Sequence, residues 1–364
     1  MERVIITEIT EMRKCFILFL LLIVLTSPFL VRVSYAADVT FIKEYTYMAS
    51  DLDSKVSSRA IALEQVKRAL LEQLGTYLIS ETEVKNYQMT KDQVTTLTAG
   101  IVSAEVLDEK WDGRTYYMKA QIAADPKEIA KSVDAFRNDK QKSKDLEESK
   151  KIAENALKEV ERLNKVISTA KANAKQQDEY NAAIRELSAV DSLDKGYALF
   201  KSDDIQGTID SCSKAIELNP RLWTAYALRG LAYSVQADWG KVADDSDMVI
   251  KLEPNNAIGY FLRGLSYVAF GINDKAIQDL SKSIRLNPKN DDAFSNRGYA
   301  YARQKKNKHA IADANSAIAL NPRNADAYFL RGLIRDSVDD IKIAARLGNA
   351  MAAAYLIEHG IDLP

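Results

Sequence analysis

Between residues 54 and 78 the apolar positions Ala60, Leu63, Val66, Leu70, Leu71 and Leu74 recur mostly at threes and fours, which places them on one face of a helix. Gly75 interrupts the end of that run. Upstream, Val39 to Met48 alternates, with the β-formers Val39, Phe41, Tyr45 and Tyr47 on one set of positions, as a half-buried strand does. Thr90 to Leu97 predicts a shorter helix with Thr90 as its N-cap. Ile101–Trp111 and Arg114–Ile122 predict two strands joined at Asp112-Gly113, a pair that favours a type I′ hairpin. The expected order is β-α-(β)-α-β-β, a small α+β domain over 37–135 that ends near Asp125-Pro126.

A different pattern follows over 136–187, a stretch without proline or glycine. Lys140 to Lys151 is a run of mixed charge. After it, Ile152, Ala156, Val160, Leu163, Ile167, Ala170 and Ala174 form a stripe on one face of a long helix. Two readings remain open for this spacer: a helix that pairs with a second copy as a coiled coil, or one that packs against its neighbours.

From about residue 188 the pattern becomes periodic. Pro220, Pro254, Pro288 and Pro322 are spaced by 34 residues, as are Gly196, Gly230, Gly264, Gly298 and Gly332. Tyr226, Tyr260, Phe294 and Tyr328 keep the same interval, and so do Tyr233, Tyr267 and Tyr301. Each type has a physical reason. Gly264 and Ala276 carry little or no side chain, so two helices can approach there. Tyr260 and Tyr267 fill the space around that contact. Pro288 sits where one helix ends and the next begins. No single repeat buries its apolar face alone, so stacking makes the core.

With an aromatic at repeat position 4, glycine at 8, tyrosine at 11, alanine at 20 and proline at 32, the chain over about 189–348, within a solenoid domain of 188–348, resembles the tetratricopeptide-repeat (TPR) family. The resemblance implies about five helix-turn-helix repeats. The first is imperfect (Ser192, Leu199, Thr208), and the second carries Val242 at position 20. The fifth is shortened, because Asp340 arrives seven residues early. Asn349–His359 reads as a terminal capping helix within 349–364. The region 38–130 resembles the N-terminal envelope domain of flagellar assembly T-type proteins. Glu44-Tyr45-Thr46-Tyr47, Ser58-Arg59-Ala60, Thr98-Ala99-Gly100-Ile101 and the final hairpin carry that likeness. The expected fold is therefore multidomain: an α+β domain, a long helical spacer and an all-α TPR solenoid.

The TPR resemblance also implies a concave groove lined by positions 2, 5, 9, 12 and 13 of each first helix. The expected partner-binding residues are Tyr197, Leu231, Ile258, Phe261, Leu265, Tyr299 and Arg303, with Lys201, Thr224, Ala227, Asp292 and Ser295 beside them. The middle of that surface is apolar, which suits an apolar or helical segment of another protein. The alternative is that the chain's own spacer helix covers part of it. Arg229, Arg263, Arg297 and Arg331 recur at position 7, in step with Asp245, Asp279, Asp313 and Asp340. A structural ladder of ion pairs is the preferred reading of that double repeat; a basic track for an acidic ligand is the other.

Composition narrows the function further. Of 364 residues, 47% are hydrophobic and 28% charged, and Lys plus Arg (50) balance Asp plus Glu (51). This argues for a folded chain and against a nucleic-acid or anionic-membrane surface as main partner. Arg13 and Lys14, the apolar run Cys15–Val31 and Ser34-Tyr35-Ala36 read as an export signal over 1–36, cleaved before Ala37. An uncleaved anchor is the alternative, although the run is short and holds Pro28. The expected location is the periplasm or cell envelope. Cys212 then has no partner for an intrachain disulfide and reads as a core thiol. His309 and His359 lack ligand spacing, Lys305, Lys306 and Lys308 read as a solvated turn, and no phosphate loop or nucleophile motif occurs. The expectation is thus a non-enzyme with no metal and no cofactor, which binds other proteins. The rival reading is a structural envelope protein that forms homo-oligomers through its N-terminal domain or spacer helix.

Overall fold

The computed structural model describes residues 39–50, 53–80, 90–99, 102–138, 140–167 and 174–362. The expected export signal and the segment 81–89, where the bracketed strand was expected, lie outside the described residues. Two compact units divide between Lys289 and Asn290.

The first unit opens with an antiparallel sheet of strands β1 (Val39–Met48), β2 (Glu105–Trp111) and β3 (Thr115–Ala124) in the order β1-β3-β2. Alternation fixes its faces, so Tyr116, Met118, Ala120 and Ile122 of β3 all point to the buried side. Helix α1 (Lys55–Ser80) covers that side, and its Val66, Leu70, Leu74 and Leu78 share one core with Phe41, Met118 and Ile122. Each such leucine contributes about 1.5–3 kcal/mol by leaving water. The outer face carries ion pairs, Lys119 with Glu44 at 2.7 Å and Lys110 with Asp108 at 2.7 Å, beside the exposed Ile42 and Met48. Helices α2 (Lys91–Ala99) and α3 (Pro126–Asn138) close the core with Val94, Leu97, Ile129 and Val133. Thr90 caps α2 as expected, in a reciprocal pair with Gln93.

Local expectations differ at three places. Gly75 does not interrupt α1; it lies buried inside the helix, and a Cβ there would run into Thr95 Oγ1 of α2. The missing side chain allows two helices to touch rather than ending one. At the hairpin, Gly113 has φ +97° and neither Asp112 nor Arg114 has positive φ. A type I′ turn needs positive φ at both central residues, so the turn is of another kind, tied by Asp112 accepting from the amides of Arg114 and Thr115 at 2.8 and 2.6 Å. Finally, α3 starts where the domain was expected to end, and its buried face belongs to the same core.

The spacer is two helices, not one. Helix α4 (Lys140–Ile167) is followed by α5 (Ala174–Lys201), and the two pack together. Of the stripe, Ala156, Val160 and Leu163 are buried in a cluster with Tyr180, Ala183 and Leu187 of α5. Ala174 begins the second helix, and Ala170 lies outside the described residues.

The repeats follow as helix pairs. The C-terminal half of α5 is the first helix of repeat 1, paired with α6 (Ile205–Leu218). Repeat 2 is α7 (Trp223–Val235) and α8 (Trp239–Leu252); repeat 3 is α9 (Ala257–Phe270) and α10 (Asn273–Leu286). In the second unit, repeat 4 is α11 (Asp291–Arg303) and α12 (Asn307–Leu320). Repeat 5 is α13 (Ala325–Arg335) and the short α14 (Val338–Arg346), followed by the terminal helix α15 (Ala350–Glu358). The turn inside repeats 1 to 4 uses one left-handed residue at the same position: Asp203, Ala237, Gly271 and Lys305, with φ between 57° and 74°. Asn256, Asn290 and Asn324 cap successive first helices through their side-chain oxygens.

Candidate protein-binding groove

Within each unit the period places equivalent residues of the first helices on one surface, and the first helices of successive repeats touch. Position 9 is the open one. Tyr197 is 40% exposed, and Leu231 and Leu265 are half-buried in repeats 2 and 3. Position 5 is closed throughout: Ala227, Phe261, Ser295 and Phe329 are all buried, Phe261 with only 8% of its surface exposed. Its ring is therefore packed rather than offered, which corrects its placement in the groove. Ile258 also turns inward, against the cluster of Trp223, Tyr226 and Val249. Thr224 is buried as well.

In the second unit, Tyr299 occupies position 9 but leans on the Ala314, Ala317, Ala327 and Leu330 cluster, and its hydroxyl donates to the Asp326 carbonyl at 3.1 Å. Burial first, then nearby Asp326, raises its pKa. Arg303 is exposed. Two side chains were missed that the period could have found. Val235 is 58% exposed at position 13, and Leu333 is 44% exposed at position 9. Phe270, exposed at the end of α9, has no such periodic signal.

The glycines do what their period implied. A Cβ on Gly264 would meet Leu280 Cγ of α10 at 2.7 Å, and one on Gly332 would meet Ile341 Cγ1 at 2.7 Å. At Gly230 and Gly298 the nearest atom belongs instead to Leu262 and Leu330, on the first helix of the following repeat. Glycine at position 8 thus serves contact between repeats as well as within them.

The arginine ladder is structural. Arg229, Arg263, Arg297 and Arg331 each grip their aspartate with Nε and Nη2, at 2.7–3.0 Å. Asp340, reached early because repeat 5 is short, still meets Arg331 at 2.7 Å. A second arm ties some of them to the preceding repeat: Arg229 to Ser213 at 3.0 Å, Arg263 to Asp247 at 2.8 Å and Arg331 to Asn315 at 2.9 Å. Each guanidinium also faces an aromatic ring at position 4: Tyr226, Tyr260, Phe294 or Tyr328. With a ring on one face and the fork engaged, these cations are spent inside the fold. Cys212 is fully buried beside Gly196, and burial pushes its thiol up to about 12.

Family models agree with this repeat geometry. A TPR repeat model matches residues 267–305 and a tetratricopeptide repeat model matches 291–324. No curated protein matches the chain. Among solved structures, that of MamA protein is 18% identical, with TM-score 0.37, over 49% of this chain and 98% of that one. YrrB, described as a TPR protein with an unusual peptide-binding site, is 17% identical with TM-score 0.37, over 55% and 99%. TTC0263, a thermophilic TPR protein in Thermus thermophilus, is 17% identical with TM-score 0.38, over 44% and 87%. No helix among the described residues is long and apolar enough to cross a membrane.

Proposed function

We propose that this chain, which carries tetratricopeptide repeats, is a non-catalytic protein-binding scaffold of the bacterial cell envelope, exported by the signal at 1–36. Its repeats hold an apolar or helical segment of a partner protein across Tyr197, Leu231, Val235 and Leu265. One observation carries this reading: in this unit the period leaves aromatic and aliphatic side chains open at position 9 while closing every position 5. Partly exposed apolar side chains that recur at one repeat position line up into a continuous patch, which scattered surface residues do not form. The arginines add no acidic-ligand track, because their aspartates neutralise them.

The rival is an envelope protein that oligomerises through its spacer. Burial of Val160 and Leu163 against α5 favours the scaffold, since the stripe a coiled coil would need is already covered within the chain. The test is Leu231→Ser with Leu265→Ser. Loss of partner capture with stability changed by about 0.5 kcal/mol or less per site supports the groove. Unaltered capture sinks it.

A further inference from the structure

Helix α5 belongs to two bodies at once. Its first half, with Tyr180 and Leu187, is buried against α4 and against Ile61 of α1. Its second half, with Ala189 and Leu193, is buried against Cys212 and Ala215 of α6. Ile152 of α4 packs against both clusters. Neighbouring residues Ala189 and Val190 are both buried although about 100° separates them around a helix. The helix is therefore enclosed on two sides. An uncovered end repeat would present one of those sides to water.

Polar contacts fix α1 to this helix. Lys67 Nζ reaches Asp191 at 2.8 Å and Asp194 at 3.2 Å, with only 14% of the lysine side chain exposed. Asp53, just before α1, accepts from the Ser50 amide at 2.7 Å, the Tyr47 hydroxyl at 2.9 Å and the Tyr180 hydroxyl of α5. Asn164 of α4 donates to the same Tyr47 oxygen at 2.8 Å. The end of β1 and helix α5 thus converge on one carboxylate at one end of α1, with α4 joined to it through Tyr47, while Lys67 holds the middle.

We infer that the α+β domain, with α4, is the N-terminal cap of the repeat array rather than a module held apart by a spacer, and that Lys67 couples α1 to the first repeat. Asp194 lies one helical turn before Tyr197, so a displacement of α1 passes directly into the first repeat's open face. This arrangement holds whether or not that face binds a partner.

Hydrogen exchange on the full-length chain tests it. Lys67→Met keeps the aliphatic stem but leaves Asp191 and Asp194 without their cation. Exchange should rise roughly tenfold in 189–201 and in α6 as well as in α1, as in one cooperative unit, and Lys67→Arg should restore most of the protection. A second variant covers the case in which Lys67→Met unfolds the domain. Ile122→Ala loosens the sheet core without touching α5, and it too should speed exchange across 189–218. Changes confined to 39–138 in both variants would show that the domain folds apart from the repeats and would overturn the cap. No change in α5 with Lys67→Met alone would overturn the role of the lysine.

Discussion

Gly264→Ala is the sharpest local test of how the repeats are held. The new Cβ would lie 2.7 Å from Leu280 Cγ and 2.8 Å from its Cδ2. Packed carbons sit about 3.5–4.0 Å apart, so α9 and α10 would have to separate by roughly 1 Å. Leu280 is fully buried and has nowhere to turn. Overpacking of this kind costs about 1–3 kcal/mol, while alanine's better helix propensity offsets about 0.8–1.0 kcal/mol. The net loss is about 1 kcal/mol, and Gly264→Leu should lose considerably more. Two controls calibrate it. At Gly230 the nearest atom is the Leu262 Cδ1 methyl at 3.2 Å, where a shift of a few tenths of an ångström relieves the contact, so alanine there should be nearly neutral. At Gly240 the nearest atom is Asp238 Oδ1 at 3.8 Å, so alanine there should stabilise. Urea unfolding followed by circular dichroism, with hydrogen exchange over 223–286, reads the series. A Gly264→Ala chain as stable as Gly240→Ala would mean that the two helices do not meet at that residue, and the 34-residue register would fall with it.

Arg263→Ala should cost about 1.5–3 kcal/mol, the range for a hydrogen bond to a charged group, because it strands the buried Asp279. A double-mutant cycle with Asp279→Asn measures the coupling, and additive losses would refute the ladder. Gly271→Ala should cost about 1 kcal/mol through its left-handed φ of +74°, with nothing crowding the site, as read in a melting curve. Cys212 should resist a thiol reagent at pH 8 until denaturant is added. Its folded pKa is raised to about 12, so the stability it contributes is complete below pH 9 and declines as pH rises from there toward 12. Fast native labelling would contradict the burial. Asp112, whose pKa is held down at about 2 by the Thr115 hydroxyl first and by the Thr115 and Arg114 amides after it, should remain ionised at pH 3 in an NMR titration.

The parts of this fold that repeat were legible, because recurrence reports a role even when the neighbour is unknown. Pro288 and Gly264 marked a helix end and a close approach, and Arg263 with Asp279 disclosed a pair by keeping step. The spacer was less legible. Ala156, Val160 and Leu163 show by their spacing that a face is covered, but a helical period carries no information about what covers it, and here α5 does. The same holds for Phe261: an aromatic at position 5 satisfies the pattern whether it is offered or packed. Lys67 gave no signal at all, since its partners Asp191 and Asp194 lie more than a hundred residues away along the chain. Val235 and Leu333, by contrast, stood in the period and could have been read from it.

The most direct test of the scaffold reading is site-specific photo-crosslinking in the native host. A photoreactive phenylalanine would replace Leu231 or Leu265 in the full-length chain, or Lys251 on the exposed side of α8 as the control. One discrete adduct with another protein is expected from each of the two groove positions and none from 251. Adducts from 251 as abundant as those from the groove, or no adduct from either groove position, would contradict the scaffold reading.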